Sequence, residues 1–505
     1  MNSSKSNNQV TNENIPYLSD INVAVIMDTF TYNSFSPEFN TFILEPDTWQ
    51  DVFENNDIDL FFCESSWRGV GRENIIEGNA IENDYAPWGG KIAVQFEKGT
   101  GREKTLLKII EHCKKNNIPS IFWNKEDPPS FDRFIDMALN FDYIFTTDED
   151  CIKKYQFRGH KNVFPLLFAS QIKMFNPIQT QERSDKVIFA GSWPSKYKNR
   201  CADMHNIFRK VLKSGHELKI YNRNSEKEDP QFFYPEEYSK YVYPKVEHYQ
   251  IPSVYKEGKM EININTIQKS KTMFARRVFE LMSSNTFVLS NYSEGVYDLF
   301  GDNVLYLDKK DKLDLDEESI NKICEENLYN VLENHTYTDR FKYILNCINF
   351  DYKEVINKIN VFYFLDDDTS LEDILADFES INYYYKYCKI INTKKSKAND
   401  LTDCGRTSVE IIEYDDLKKY CEKLDENDYC IFRDLNEDID EKFIERARLH
   451  YKYIEKEYPI ICNEDKYSFE DSTKAKNVFF NSINFDKYLE NITENKENSF
   501  IVYKI

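Results

Sequence analysis

From position 21 onward, short apolar runs alternate with segments of helical spacing. Residues 21–27, 60–63, 118–123 and 143–146 are brief β-branched or aromatic runs that read as buried strands, and residues 91–96 read as a further one. Between them, residues 104–116 place Leu106, Leu107, Ile109, Ile110 and Cys113 at helical intervals. Residues 130–140 do the same with Phe131, Phe134, Ile135 and Leu139. Buried strands alternating with amphipathic helices predict a parallel α/β sheet. The alternation restarts after Asn176-Pro177. Strands are expected at 186–190, 217–221, 261–265, 287–290 and 304–307. Helices are expected at 199–215, ended by Gly215, and at 271–284. Residues 311–360 read as mainly helical. A third alternation follows, with strands at 361–365, 389–392 and 429–432 and a helix over 371–387.

This pattern divides the chain into a mobile tail (1–20), two α/β units (21–180 and 181–360) and a third unit (361–505), in keeping with a length of 505 residues. The expected fold class is α/β: two doubly wound Rossmann-like domains facing a cleft, plus a C-terminal α/β module. In such sheets ligands bind beyond the carboxyl ends of the strands. The residues that follow the predicted strands are chemically rich: Glu64-Ser65-Ser66-Trp67-Arg68-Gly69, then Asn124 to Pro128, then Gly191-Ser192-Trp193, then Asn222-Arg223, then Thr266 and Ser270. Trp67 and Trp123 fit a core as well as a site.

Composition narrows the classes. The net charge of −22 disfavours broad binding to nucleic acid or to an anionic membrane, while leaving room for a local basic pocket. The 11 cysteines form no C-x-x-C pair, so neither a zinc ribbon nor a thioredoxin-type site is supported, and reduced thiols are expected. Met1 to Asn14 lacks the basic start and apolar run of a signal peptide, and no 18-residue apolar stretch occurs. A cytoplasmic protein without a transmembrane segment is therefore expected. The run from Gly99 to Thr105 does not meet the phosphate-loop spacing and reads as the entry to the following helix.

The segment from Ser270 to Ser293 is the most specific. Arg276 and Glu280 stand four apart, and Arg277 and Glu280 three apart, so a helix brings them to one face. The run from Glu280 into the next strand resembles an element of the group 1 glycosyltransferases, which have the GT-B fold. Five motifs in order are together similar to the spore-maturation CgeB-like branch of that superfamily. They are Glu64 to Gly69, Ile121 to Pro128, Asp142 to Asp148, Phe189 to Trp193, and Ser270-x-Thr272-Met273-x-x-x-Arg277-Val278-Phe279-Glu280.

The resemblance implies a transferase moving a sugar from a nucleotide-sugar, with a UDP-sugar expected as donor, to a bacterial surface glycan, polymer or protein acceptor. It implies no cofactor and no metal. Glu280 would accept the donor's ribose hydroxyls, a task that suits a carboxylate. Gly191 and Ser192, at a helix start, together with Arg200, Arg223, Thr266, Ser270, Arg276 and Arg277, would hold the rest of the donor, the arginines facing its diphosphate. A general base is sought among Glu126, Asp127 and Glu64; for Glu126 and Asp127 a helix-capping role is equally open. The chain departs from the pattern at Thr272, where the family has a second acid, and at Ser284 to Phe287.

The third unit resembles part of a GT-A, family-2-like transferase. Asn436 replaces the second aspartate of its metal motif after Asp434, Arg433 adjoins it, and Asp366 to Asp368 sit where capping is usual. It reads as a degenerate module. Two other functions stay open: a non-catalytic glycan- or nucleotide-binding protein on a decayed transferase fold, and a CDP-polyol phosphotransferase. A homo-oligomer is also open.

Overall fold

The computed structural model describes residues 15–96, 101–366, 369–393, 408–437, 439–494, 496 and 498–505. Residues 1–14, Gly99, Thr100, Asp367 and Asp368, which the expectations above include, lie outside the described residues. The chain forms two compact units, residues 1–175 with 183–354, and residues 176–182 with 355–505.

The first unit holds two six-stranded sheets. The first contains β1 (Asn22–Ile26), β2 (Asn40–Ile43), β3 (Leu60–Glu64), then, after a small hairpin of β4 (Ile75–Ile76) and β5 (Asn79–Ala80), β6 (Ser120–Asn124), β7 (Tyr143–Thr146) and β8 (Val163–Pro165). Its order is β2-β1-β3-β6-β7-β8, and every pairing is parallel. The second contains β9 (Ser184–Gly191), β10 (Leu218–Asn222), β11 (Val242–Tyr243), β12 (Gly258–Asn263), β13 (Phe287–Ser290) and β14 (Leu305–Tyr306). Its order is β11-β10-β9-β12-β13-β14, again all parallel. The strand order reverses between β1 and β3 in one sheet and between β9 and β12 in the other, so each sheet opens a crevice at its carboxyl edge there. The expected pair of doubly wound domains, the GT-B arrangement, is present.

Burial on both faces explains the continuous apolar runs. Val23 and Val25 face one core, while Ala24 and Ile26 face another. The first of these cores is continuous with Ile188, Val278, Phe279 and Val288 of the second domain, and it includes Phe341, Ile344 and Leu345 of the helix Tyr337–Cys347. That helix belongs to the trailing helical segment but packs on the first domain. Phe341 lies 4.7 Å from Phe39, Thr338 donates to Glu38 at 2.7 Å, and the Arg340 guanidinium donates to the carbonyls of Leu167 and Phe168.

Several expected elements differ. Residues 91–96 form turns rather than a strand, with Trp88, Ile92 and Val94 plugging the core beside helix Lys104–Lys115. Residues 17–20 are not free: Tyr17 bridges to Lys353, and the Leu18 N–H donates to the Lys353 carbonyl at 3.0 Å. β2, β8 and β11 are short and only partly apolar, and the hydrophobic pattern did not single them out. The helix expected over 271–284 is confined to Arg277–Ser283. Upstream, side chains take the backbone donors. Ser270 Oγ accepts the N–H groups of Thr272 and Met273, and Asn265 Oδ1 accepts that of Ala275. Residues 266–276 are thereby held as a loop instead of a helix.

The second unit is one eight-stranded mixed sheet: β15 (Ile359–Leu365), β16 (Lys386–Asn392), β17 (Val409–Glu413), β18 (Tyr429–Arg433), β19 (Ile460–Ile461), β20 (Phe469–Ser472), β21 (Val478–Asn481) and β22 (Phe500–Lys504). The helix expected over 371–387 ends at Ser380, and residues 386–387 already belong to β16. Beyond β18, Arg433 is bidentate to Asp377. Asp434 pairs with Lys476 at 3.1 Å, and Glu437 pairs with Lys474 at 2.6 Å. The acidic oxygens at the expected metal-motif position are thus matched by the chain's own ammonium groups.

Candidate active site

The two switch points bring the ends of β1, β9, β10 and β12 around one cleft. Helix Arg277–Ser283 follows β12 and presents Arg277 and Glu280 toward it, with Arg276 at its N-cap. Arg277 fixes this start. Its guanidinium donates to the carbonyl of Ala190 at the end of β9, to that of Ile262 on β12 at 3.4 Å, and to Tyr255 Oη at 3.3 Å. Arg276 reaches the other domain, its guanidinium carbon 3.4 Å from the centre of the Phe30 ring, while its Nε donates to Glu280 at 2.9 Å. Tyr255 Oη donates to the second oxygen of Glu280 at 3.2 Å. Both oxygens of this buried carboxylate therefore have a partner, and each keeps a lone pair for a further donor.

Two more arginines join. Arg200, from the helix Lys198–Lys213, donates to the Ile264 carbonyl at 2.9 Å and to Thr266 Oγ1 at 2.8 Å. Arg223 follows β10, and among the described residues its guanidinium has no hydrogen-bond or ion-pair partner. Burial, and then Arg277 beside it, lower the Arg200 pKa to about 10; burial and then Arg276 lower that of Arg223. Four guanidinium groups thus share a cleft with the carboxylates of Glu280, Glu82 and Glu247, and Glu261 acts on Arg277 from the adjoining strand. Burial pushes Glu261 up to about 8. In a chain of net charge −22, such a gathering of guanidinium groups is chemically suited to an anion.

Two cavities share this wall. The larger, about 490 Å³, is lined by Tyr221, Tyr255, Ile251, Phe175 and His248 together with Arg223, Arg276, Arg277 and Glu280. The other, about 390 Å³, adds Arg200, Thr266, Tyr197, Met273 and Phe274 to the same arginines and Glu280, and reaches Pro129 of the first domain.

Of the expected donor-site residues, Gly191, Arg200, Arg223, Thr266, Arg276, Arg277 and Glu280 line one or both cavities. Gly191 and Ser192 do not open a helix, because the next one begins at Lys198. The Gly191 carbonyl instead accepts the Arg223 N–H and the Tyr234 hydroxyl. Ser192 lines neither cavity. Ser270 is buried and donates to Asp148 of the first domain at 2.7 Å, while Thr272 Oγ1 accepts the Glu149 N–H at 2.8 Å. These two residues strap the domains together. Gly295 permits this path, since a Cβ there would meet the Lys271 carbonyl oxygen at 2.4 Å.

None of the three expected base carboxylates lines either cavity. Glu64 is fully buried and accepts the Asp28 N–H and the Thr31 hydroxyl at the start of helix Thr29–Phe35. Glu126 accepts from Lys125 Nζ at 3.0 Å. Asp127 is buried and accepts from Asn124 Nδ2 at 2.8 Å, Thr146 Oγ1 at 2.6 Å and Tyr155 Oη at 2.9 Å. Trp123 is core, and Trp67 is half exposed against Phe134.

Burial raises the Asp127 pKa to about 7 from an ordinary 3.8. The folded state then holds a proton that the unfolded chain releases, so this group's contribution to stability is complete below about pH 4 and is lost as pH rises toward 7. Denaturant titrations across that window should show Asp127→Asn falling less steeply with pH than wild type, by up to about 1.4 kcal/mol per pH unit.

Tyr255, His248 and Phe30 were not foreseen. Residues 244–257 carry no strand or helix periodicity; their one signal is a dense mixture of Lys, Glu, His and Tyr. Burial, and then Arg276, lower the His248 pKa, with Glu280 and Glu82 acting in the opposite sense. Among the described residues no group of three or more His, Cys, Asp or Glu is placed to hold a metal ion, and no helix is long and apolar enough to cross a membrane.

Residues 203–346 match a family model described as Glycosyl transferase-like. No match was found among curated protein sequences. Among solved structures, the chain is similar to an alpha-glucosyltransferase in complex with UDP and a 13-mer DNA containing a HMU base (10% identity, TM-score 0.44, covering 66% of this chain and 100% of that one). It is also similar to AviGT4, a glycosyltransferase involved in Avilamycin A biosynthesis (11% identity, TM-score 0.36, covering 65% and 97%). A third likeness is to a mutant of S. aureus TarM in complex with Fondaparinux, alpha-GlcNAc-glycerol and UDP (14% identity, TM-score 0.33, covering 46% and 51%), so the chain spans about half the length of that protein. At these identities and TM-scores the likenesses carry no inference about substrate or mechanism.

Proposed function

We propose that the chain is a nucleotide-sugar-dependent glycosyltransferase whose donor binds in the arginine cleft. The observation that carries this reading is the convergence of Arg200, Arg223, Arg276 and Arg277 on the carboxyl ends of β9, β10 and β12, inside or beside the segment that matches the transferase family model. Transfer breaks the bond between the sugar's anomeric carbon and the diphosphate oxygen, and negative charge grows on the leaving nucleoside diphosphate. Preset guanidinium groups in a partly dry cleft oppose that charge without reorganising. Glu280, held by Arg276 and Tyr255, offers its free lone pairs to the ribose hydroxyls. The aromatic lining of the larger cavity, Tyr221 and Tyr255 among it, suits a nucleobase.

The acceptor hydroxyl must lose a proton. Of the groups lining the larger cavity, Glu82, Glu247 and His248 are chemically able to take it. A specific observation favours a second reading, binding without turnover: where the resembled family has a second acid this chain has Thr272, whose Oγ1 accepts the Glu149 N–H at 2.8 Å. The second unit, with lysines on Asp434 and Glu437, fits a module without its own metal-assisted transfer.

A thermal-shift screen against UDP, GDP, CDP, dTDP and their sugars tests the reading. One nucleotide should raise the wild-type midpoint, and its sugar should be turned over with a polymer or protein acceptor. A shift without turnover supports the second reading. Turnover of a CDP-polyol alone identifies a phosphotransferase. No shift with any nucleotide at millimolar concentration removes the donor site.

A further inference from the structure

The smaller arginine cavity ends at Pro129, and the next residue back, Pro128, opens a second and shallower groove on the surface of the first domain. This groove, about 510 Å³, is lined by Phe131, Asp132, Ile135, Lys153, Lys154, Phe157 and Arg158 as well as Pro128. Its character differs from the rest of the molecule. Residues 152–161 carry Lys153, Lys154, Arg158 and Lys161 and no acid, in a chain whose net charge is −22. Among the described residues neither Lys153 nor Lys154 is within ion-pair distance of a carboxylate, although Lys154 donates to Cys151 Sγ at 3.7 Å and acts on Asp127, and Asp132 is the one acid of the lining. Lys154 lies over the Phe131 ring at 5.2 Å, and Arg158 meets Asp136 only at 3.5 Å. Phe157 is 91% exposed, an unusual position for a large apolar ring on a surface otherwise dominated by charge.

A shallow, open groove does not enclose a small ligand; it fits an extended chain lying across it. The mixture of proline and phenylalanine faces with three basic side chains against the single acid Asp132 suits a chain with repeating apolar sugar or polyol faces and repeating negative charge. A polyanion approaching this acidic protein is repelled over most of the surface and attracted here, so the groove would set its direction. Because Pro128 and Pro129 adjoin, a chain in the groove would lead its end toward the arginine cavity.

We infer that the Pro128–Phe157 groove is the docking track for the acceptor, and that the acceptor is a linear polyanion carrying phosphate or carboxylate groups along its length. The inference rests on the transferase reading for the word acceptor, while the binding it predicts does not.

The test measures binding of a fluorescent heparin oligosaccharide and a size-matched neutral dextran fragment to the full chain, at low and at physiological salt. Wild type should bind the polyanion and not the dextran. The combined Lys153→Gln, Lys154→Gln, Arg158→Gln variant should bind it at least about tenfold more weakly, with a salt dependence shallower by about 0.7–0.9 per lost contact. Phe157→Ser should weaken binding severalfold and leave the salt dependence unchanged. Equal affinity of the combined variant and wild type overturns the proposal, as does equal binding of heparin and dextran. Binding to phosphatidylserine vesicles that is lost in the variant, without heparin binding, also overturns it in favour of a membrane surface. The UDP thermal shift is read alongside. Its retention in the variant shows an intact fold and donor cleft. Its absence from wild type counts against the transferase reading alone, and leaves the groove to be judged by the polyanion.

Discussion

Arg223→Ala should bind the donor nucleotide about 10- to 100-fold more weakly while its unliganded form melts no lower than wild type. The two halves have one cause. The Arg223 guanidinium has no hydrogen-bond or ion-pair partner among the described residues, and the repulsion from Arg276 and Arg277 exceeds the attraction of Glu82, so without a bound diphosphate it contributes no bond and a net unfavourable charge. Removing it relieves the cluster. Its backbone N–H still donates to the Gly191 carbonyl at 3.1 Å, so the turn after β10 is unaffected. With a diphosphate present, a charge-assisted hydrogen bond worth roughly 1.5–3 kcal/mol is lost, which is the stated fall in affinity. Isothermal titration and a melting curve on the same sample check both halves. A variant that melts well below wild type would show Arg223 to be structural. One that binds as tightly as wild type would remove it from the donor site.

Glu280→Ala should show the opposite stability effect and an equal or larger loss of binding. The side chain is buried, and its removal leaves Arg276 without its counter-ion and Tyr255 Oη without its acceptor. Stripping one partner from a buried pair is costly, but Arg276 is about one-third exposed, so water offsets part of the loss. A destabilisation of about 1–3 kcal/mol is expected, seen as a melting temperature lower by several degrees. Nucleotide binding should fall by more than tenfold, because the ribose hydroxyls lose their acceptor and Arg276 is no longer held in the cleft. Glu280→Gln separates the two contributions. It keeps an acceptor for Tyr255 and should recover most of the stability while binding stays weak. Wild-type affinity in Glu280→Ala would show that the carboxylate serves only to position Arg276.

The residues whose placement at the cleft was legible in the sequence are those set by local spacing. Arg276, Arg277 and Glu280 lie within one helical turn, and their spacing alone places them together. Arg223 and Gly191 follow strands whose apolar runs are unmistakable, and strand ends in a doubly wound sheet point at the crevice. The expected base carboxylates lie outside the two cavities for the same reason in reverse. Glu64 and Asp127 also follow strands, but each is surrounded by donors from segments distant in sequence, Asp28 and Thr31 for one and Thr146 and Tyr155 for the other. Those donors turn both carboxylates inward, and no local pattern records it.

The helix expected over 271–284 gives a similar lesson. Its apolar spacing is genuine, yet Ser270 and Asn265 capture the backbone N–H groups, and Thr272 and Ser270 are drawn to Glu149 and Asp148 of the other domain. Periodicity measures which side chains seek the core. It does not weigh competing acceptors supplied by tertiary contact.

By itself, then, the sequence determined the two doubly wound domains, the order of most of their strands along the chain, and the arginine–glutamate helix, because burial and short-range spacing leave their mark on neighbouring residues. Only the tertiary structure decided that Arg200 and Arg223 join that helix, that Phe30 stacks on Arg276, that His248 lines the cleft, and that Glu64 and Asp127 are closed off from it. Those outcomes depend on groups far apart in the chain being brought within a few ångströms, where desolvation and charge, rather than periodicity, set what each side chain can do.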